Sequence, residues 1–245
     1  MLRTVATTAL ASLLLLTACG GGSDEPSGTA PKPTAGAGAA ASSSPTPERV
    51  RTVAELTAAL PRSGQVPTGD RKIGSCPGDD SCQADTASVT IELTRPVGAQ
   101  EQERLAAEEF SRDFVQVTAT AGTDEAAPQT TLATIRDRAA RYVGAFDLPA
   151  TKTSDTTYTP AEKGEGTLDD VTLEGWKGFV SARDVTFADP EGEGATHPYQ
   201  STQVHLVKGT TLISCYVTVM TGPRGAGAAT EMARQLATDY IQRLG

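Results

Sequence analysis

The feature of the sequence that most restricts its fold is a run of alternating residues near the C-terminus, from Gln203 to Met220. Apolar residues that repeat at every second position indicate a β-strand with one face buried. Lys208 and Gly209 interrupt the run, and glycine readily takes the positive φ that a tight turn requires. The pattern therefore predicts a β-hairpin. The residues that share one face of its second strand are Ile213, Cys215, Val217 and Val219.

Segments with helical periodicity precede and follow this hairpin and the other strand-like segments. Apolar residues at helical spacing predict four helices, over Val50–Leu60, Gln100–Thr118, a segment from Leu132 to Phe146, and a C-terminal stretch that includes Leu236 and Tyr240. Alternation predicts further strands at Ser88–Leu93, Val171–Leu173 and Phe179–Phe187. Strands that are grouped between helices favour an α+β fold with a central antiparallel sheet flanked by helices, built as one unit or as two similar lobes.

Two polar segments are predicted to be loops. Thr151–Gly166 is rich in threonine and is the best candidate for an internal boundary within an α+β domain that spans residues 48–245. Asp189–Gly194 is short, acidic and rich in glycine, which is typical of an exposed connection.

Cysteine spacing predicts one small disulfide loop. Cys76 and Cys82 enclose a Pro-Gly-Asp-Asp turn sequence, and in an oxidising compartment a pair spaced in this way forms a bridge. Cys215 lies within an apolar strand, where a buried and inert thiol is the ordinary outcome. A bridge from Cys215 to either of the other two cysteines is the alternative.

The N-terminus combines a short apolar run with a segment that cannot fold. Arg3 precedes an apolar stretch, Val5–Leu16, which has the length of a signal-peptide core and is too short to span a bilayer. Gly20–Pro47 consists almost entirely of small residues, threonine and proline. It lacks the apolar surface that would offset the entropy of ordering, so it is predicted to be a disordered tether.

The four residues Leu16-Thr17-Ala18-Cys19 resemble the lipobox of bacterial lipoproteins. The resemblance implies that residues 1–18 are a signal peptide that is cleaved, that Cys19 receives a diacylglycerol, and that residues 19–47 tether the domain to the outer side of the cell membrane. The alternative is an ordinary secretory signal with an incidental cysteine. The expected partner at this end of the chain is therefore the membrane, through the lipid on Cys19.

Composition excludes some classes of partner. The formal net charge is −9, and it becomes −10 when Arg3 leaves with the signal peptide. An acidic exported domain with few basic clusters is a poor binder of nucleic acid. Aromatic residues make up only 4% of the chain, which argues against an extended aromatic platform for carbohydrates. The sequence predicts no metal site and no cofactor.

A search for catalytic motifs is negative. The chain contains neither a G-x-S-x-G nor an H-E-x-x-H pattern, so no enzyme activity is predicted. Only two histidines occur, and alternation predicts that His205 faces solvent, opposite Val204 and Leu206. A hydrolase that uses carboxylates scattered along the sequence remains the enzymatic alternative.

Four residues are candidates for ligand binding. Trp176, the single tryptophan, has glycines on both sides and, with Tyr199 and Tyr216, is predicted to line a pocket for a flat or apolar ligand. Arg224 lies in a glycine-rich turn before the last helix, where an anion would meet backbone N–H groups and a positive charge. The competing interpretations are a core anchor for Trp176 and a plain connector for the turn.

The lipobox, the spacer, the disulfide loop and the strand–strand–helix run from Gln203 to Leu244 together resemble a lipoprotein of high-GC Gram-positive bacteria. From Gly175–Trp176 to the C-terminus the chain also loosely resembles the sensor-like extracytoplasmic domains of some receptor kinases and free lipoproteins, which implies an α+β sandwich with a central antiparallel sheet and a ligand cleft. With the tether, the small set of aromatic residues and the lack of a catalytic motif, this favours a binding or sensing module for a small or apolar ligand. The alternative is a structural or adaptor lipoprotein that contacts proteins of the cell envelope.

Overall fold

Alternation of buried and exposed positions recurs along most of the folded chain and produces a β-sheet. The structure, a computed structural model, describes residues 49–77, 82–100, 113–152, 158–159, 161–188 and 197–245. The predicted signal peptide, lipid-attachment site and tether lie outside these residues, as does the acidic loop at 189–194. Thr46–Gly245 forms one compact unit. None of the helices in the described ranges is long and apolar enough to cross a membrane.

The strands β1 to β10 are, in chain order, Gly69–Cys76, Thr86–Leu93, Phe114–Ala121, Gly144–Leu148, Thr151–Lys152, Tyr158–Thr159, Ala161–Leu173, Trp176–Ala188, His197–Lys208 and Thr211–Met220. Eight of them form one sheet in the order β1-β2-β3-β10-β9-β8-β7-β4, and every neighbouring pair is antiparallel. The helices are α1 Val53–Ala59, α2 Ala126–Ala139, α3 Thr221–Arg224 and α4 Ala228–Leu244. The predicted α+β class with an antiparallel sheet is confirmed, and strands from both halves of the domain share this sheet instead of forming two lobes.

One face of the sheet, which we call the front face, carries the main hydrophobic core. Alternate residues of β2, β3, β10, β9 and β8 point to this side and pack against α1 and α4. Helix α4 buries a stripe at helical spacing, which consists of Ala229, Ala233, Leu236, Ala237, Tyr240 and Ile241. Tyr240 lies under α1 and donates its hydroxyl hydrogen to the carbonyl oxygen of Leu56 at 2.9 Å. This contact joins the two ends of the folded domain.

The short helix α1 begins with a reciprocal cap. The backbone N–H of Glu55 donates to the hydroxyl of Thr52 at 3.3 Å, and the backbone N–H of Thr52 donates to the carboxylate of Glu55 at 2.8 Å. This capping box satisfies donors that a helix start leaves unpaired. It fixes α1 where Leu56 and Ala59 enter the core.

The opposite side of the sheet, the back face, is covered over β8, β9 and β10 by α2. A second, smaller core lies nearer the β4 edge of this face and contains Phe146, Val185, Tyr199 and Met220. Both faces of the sheet are therefore covered over part of their area. This explains why His205, which was predicted to face solvent, is only 6% exposed.

Two predicted helices are wrong over part of their length. Residues 101–112 of the first lie outside the described ranges, but Phe114–Ala121, which the helical pattern partly included, is the strand β3. Its Val115, Val117 and Ala119 alternate, and it pairs with β2 on one side and β10 on the other. The second predicted helix ends at Ala139 and gives way to β4, so Phe146 lies in a strand. Long-range pairing overrides local helical spacing in both places.

The predicted hairpin and disulfide are present. Strands β9 and β10 pair from Lys208 and Thr211 outward, and Gly209 takes φ +53° at the first position of the two-residue turn. Cys76 and Cys82 form a disulfide with their Cα atoms 5.6 Å apart, and Cys215 is a free, buried thiol. The loop predicted at Thr151–Gly166 is wrong over its described residues, because Thr151–Lys152 and Tyr158–Thr159 pair with each other as β5 and β6 and β7 begins at Ala161.

Candidate functional site

The structure places Trp176 in the front-face core. Its side chain is 1% exposed and belongs to the same cluster as Val180 and Leu206. The guanidinium of Arg51 lies 5.3 Å from the centre of the indole ring, at the distance of a cation–π contact. An indole that is enclosed in this way lines no pocket, and its place in the structure is that of a core anchor.

The two candidate tyrosines lie on the other face. Tyr199 is buried in the back-face core beside Phe187, with ring centres 5.7 Å apart. Tyr216 is half-buried and stacks edge-on against Phe114 at 5.3 Å. The sheet itself separates both tyrosines from Trp176, so the three aromatic residues do not form one pocket.

Arg224 turns away from the start of α4 and into the protein. Its Nε donates to Asp113 at 3.1 Å and its Nη2 donates to the carbonyl oxygen of Thr94 at 2.7 Å. The same carboxylate accepts from Nε of Arg95 and from the backbone N–H of Met220, each at 3.0 Å. Asp113 thus links the ends of β2, β3 and β10 through buried charged groups. With its guanidinium engaged in this cluster, Arg224 holds the turn in place.

A pocket of about 190 Å³ opens on the front face where α4 begins. Helix α4 covers β9 and β10 but leaves β7 and β8 exposed at this end of the sheet. Two rows of side chains cross the pocket from strand to strand, from β9 beside α4 to the opposite wall on β7 and β8. In strand register, the first row is Glu165, Asp184 and Gln200, and the second is Thr167, Ala182 and Thr202.

The wall of the pocket at α4 is held by hydrogen bonds from β9. Gln200 is buried and uses both ends of its amide, donating to the carbonyl oxygen of Gly225 at 3.0 Å and accepting from the N–H of Ala229 at 3.2 Å. Thr202 and Thr230 share a hydrogen bond of 2.9 Å. The residue before α4 is Gly227, which has a left-handed conformation and no side chain that could accept a hydrogen bond from the first turn. Gln200 supplies this acceptor from β9 and so acts as the cap of α4.

The opposite wall carries two adjacent acids. Glu165 and Asp184 are direct cross-strand neighbours with their side chains on the same face. Like charges in this position destabilise a sheet. Neither carboxylate has an ion-pair partner among the described residues. Arg183 also lines the pocket, but its guanidinium pairs with Glu162. The pocket therefore combines a negative wall without an ion-pair partner, a positive helix end and three threonine hydroxyls, an arrangement suited to a small polar ligand with a cationic group.

Buried titratable groups lie outside this pocket. Burial lowers the pKa of His205 to about 4 and raises the pKa of the Cys215 thiol to about 12. Burial also raises the pKa of the Tyr240 hydroxyl above its ordinary value. An inert Cys215 thiol agrees with its expected place in the core. No group of three or more metal-binding side chains occurs within the described ranges.

Sequence reasoning missed the pocket because its residues are scattered. Glu165 and Thr167 flank the predicted end of a loop, and Asp184 and Gln200 belong to different strands. Only the register of β7, β8 and β9 brings them together. No protein-family model matches this chain, and no curated protein matches it in sequence.

Proposed function

We propose that this chain is a lipid-anchored extracytoplasmic binding module that takes a small, cation-bearing polar ligand in the pocket at the start of α4. The observation that carries the proposal is the pair Glu165 and Asp184, adjacent in register on the pocket wall without a cationic partner among the described residues. A bound ammonium group would neutralise this repulsion, and the first turn of α4 would favour an electron-rich oxygen on the same ligand. Ligands of the apolar class lose support, because Trp176 and Tyr199 are buried in separate cores.

The proposed anchor rests on the lipobox at Leu16–Cys19 and on the composition of the tether. Two acyl chains hold a protein on a bilayer far longer than one chain does, since each buried CH₂ contributes about 0.8 kcal/mol. Replacing Cys19 with alanine is expected to move the full-length protein from the membrane fraction to the soluble fraction. In a bacterial host that lipidates its exported proteins, fractionation and intact mass would measure this change.

The matched control for the anchor is Ser23→Ala, a change within the tether that leaves the cysteine intact. This variant is expected to stay in the membrane fraction and to carry the mass of a diacylglycerol. A Cys19→Ala protein that remains membrane-bound, or a wild-type protein without added lipid mass, contradicts the anchor.

The pocket is tested with ethanolamine and with its neutral near-isostere, ethylene glycol. We expect ethanolamine to shift the backbone amide signals of Ala182–Asp184 and Gly227–Thr230 in an NMR titration, and ethylene glycol to leave them in place. The double variant Glu165→Gln/Asp184→Asn is expected to weaken ethanolamine binding about tenfold, because two neutral amides replace the negative wall.

Asp169→Asn is the control for the loss of charge. Asp169 lies on the same strand and the same face as Glu165, is exposed and does not line the pocket. This variant is expected to bind ethanolamine as the wild type does. Equal effects of the two probes, or shifts that persist in the double variant, would contradict a cation-binding pocket.

An adaptor function is the second candidate, and the free edge of the sheet favours it. Among the described strands, β4 pairs with β7 alone, and two of the exposed large apolar residues, Val143 and Leu148, lie at its ends. An exposed strand edge can pair with a strand of another protein. A pocket that binds neither probe would shift the balance toward this function.

A further inference from the structure

A buried histidine, His205, lies on the back face of β9, one of the three strands that α2 contacts. His205 has Nε2 at 3.0 Å from Oε1 of Gln203 and Nδ1 at 2.8 Å from Oγ of Ser214. An amide oxygen only accepts, so the neutral ring donates from Nε2 and accepts the hydroxyl hydrogen of Ser214 at Nδ1. The ring also contacts Phe179, with centres 5.0 Å apart.

Helix α2 covers this region and is held by few contacts. The buried apolar residues beneath it, Phe179, Val207 and Leu212, belong to neither of the two core clusters. Among the apolar residues of α2 itself, Pro128 and Ala139 are buried near its two ends, and Leu132 and Ile135 between them are only half-buried. The specific contacts are those of Arg136, whose guanidinium lies over the Phe179 ring at 5.5 Å and pairs with Asp170. Because little apolar surface holds it, α2 is a candidate for opening independently of the main core.

The charged groups around His205 disfavour a positive charge on its ring. On the back face, β8 contributes Lys177 and Arg183, and β10 contributes no charged residue. Helix α2 contributes Arg136, the half-buried Arg138 and the exposed Asp137. On the back face of β7, the acid in register with Phe179 and His205 is Asp170, which Arg136 already engages. An imidazolium at this site would be enclosed without a carboxylate to pair with, because Asp137 is exposed and Asp170 is engaged by Arg136.

We propose that α2 is an acid-labile cover, which protonation of His205 releases from the back face of the sheet. In the closed state the ring is neutral and bridges Gln203 and Ser214. In the open state it reaches water and takes up a proton. Release would expose the apolar patch of Phe179, Val207 and Leu212 and leave the front-face core intact.

The size of the effect follows from proton linkage. The closed state holds the pKa of His205 at about 4, against 6.5 for an exposed histidine. The open state therefore binds more protons at every pH between these values, and acid favours opening. The stability of the closed form relative to the open form decreases as the pH falls from 6.5 to about 4, and it does not decrease further below about pH 4. Between pH 7.5 and pH 5 the opening equilibrium constant is expected to rise about 30-fold.

Hydrogen exchange of the folded domain measures this opening. Protection factors, corrected for the intrinsic pH dependence of exchange, are compared at pH 7.5 and pH 5 for amides of α2 and for amides of β10. We expect protection in α2 to fall about 30-fold while protection in β10 falls much less. His205→Gln is expected to abolish the fall in α2, and His197→Gln, at the second histidine, is expected to keep it.

Each other outcome overturns the proposal. Protection in α2 that does not change with pH shows that His205 does not control the helix. An equal fall in α2 and β10 shows that the histidine responds only to global unfolding. If His205→Gln fails to fold, an NMR titration of the wild-type imidazole decides the matter, because a histidine that titrates near 6.5 in the folded protein is incompatible with a buried neutral ring.

Discussion

Replacing Asp113 with alanine is expected to lower the free energy of unfolding by about 3–5 kcal/mol, because it leaves two buried guanidinium groups without their carboxylate. The side chains of Asp113, Arg95 and Arg224 are all at least nine-tenths buried. The Nη2 atom of Arg95 is already buried without a hydrogen-bond partner among the described residues. Within the described ranges the cluster therefore has no other acceptor that could replace the Asp113 carboxylate. Urea denaturation followed by circular dichroism measures the loss.

Two comparisons separate this buried cluster from an ordinary ion pair. Glu92→Gln removes the carboxylate of the exposed pair with Arg71 and is expected to cost far less than Asp113→Ala. In an Arg224→Met background, Asp113→Ala is expected to cost less than it does alone, because one of the stranded charges is gone. Full additivity of the two changes, or a cost for Asp113→Ala as small as that of Glu92→Gln, contradicts this account.

Trp176→Ala is the second change with a large expected effect, a loss of about 3–5 kcal/mol of stability. The indole is fully enclosed in the front-face core, so its removal leaves a cavity that the surrounding strands cannot fill. Since Trp176 is the only tryptophan, unfolding must be followed by circular dichroism and not by intrinsic fluorescence. Trp176→Phe is expected to recover part of the stability.

The matched control for Trp176 is Tyr216→Leu. Tyr216 is a second aromatic candidate from the sequence, but it is half-buried on the back face, so its truncation is expected to cost less than Trp176→Ala. A stable Trp176→Ala protein with a loss below about 1 kcal/mol would contradict the core role and restore the interpretation of Trp176 as a ligand-binding residue.

Features that depend on neighbouring residues were predicted well. The alternation in β2, β9 and β10 identified those strands, and Gly209 identified the turn between β9 and β10. The apolar stripe of α4 and the Cys76–Cys82 spacing were equally informative. In each case the signal lies within a few residues, because strand alternation, helical periodicity and loop closure are local properties of the chain.

Features that depend on distant partners were not predicted. Phe114 and Val117 fit a helical stripe, yet pairing with β2 and β10 makes that segment a strand. Arg224 lies in a turn that resembles an anion site, yet its charge is engaged by Asp113, 111 residues earlier in the chain. His205 alternates outward from the core, yet α2 covers it.

The sequence by itself determined the α+β class, the strands of the hairpin, the C-terminal helix and the disulfide, since the physical causes of these features act between residues close in the chain. Only the tertiary structure decided which faces of the sheet are covered and which side chains meet. Strand register placed Glu165 beside Asp184, and the packing of α2 placed His205 out of water. Register and layer packing minimise the free energy of the whole domain, so no short window of sequence contains them.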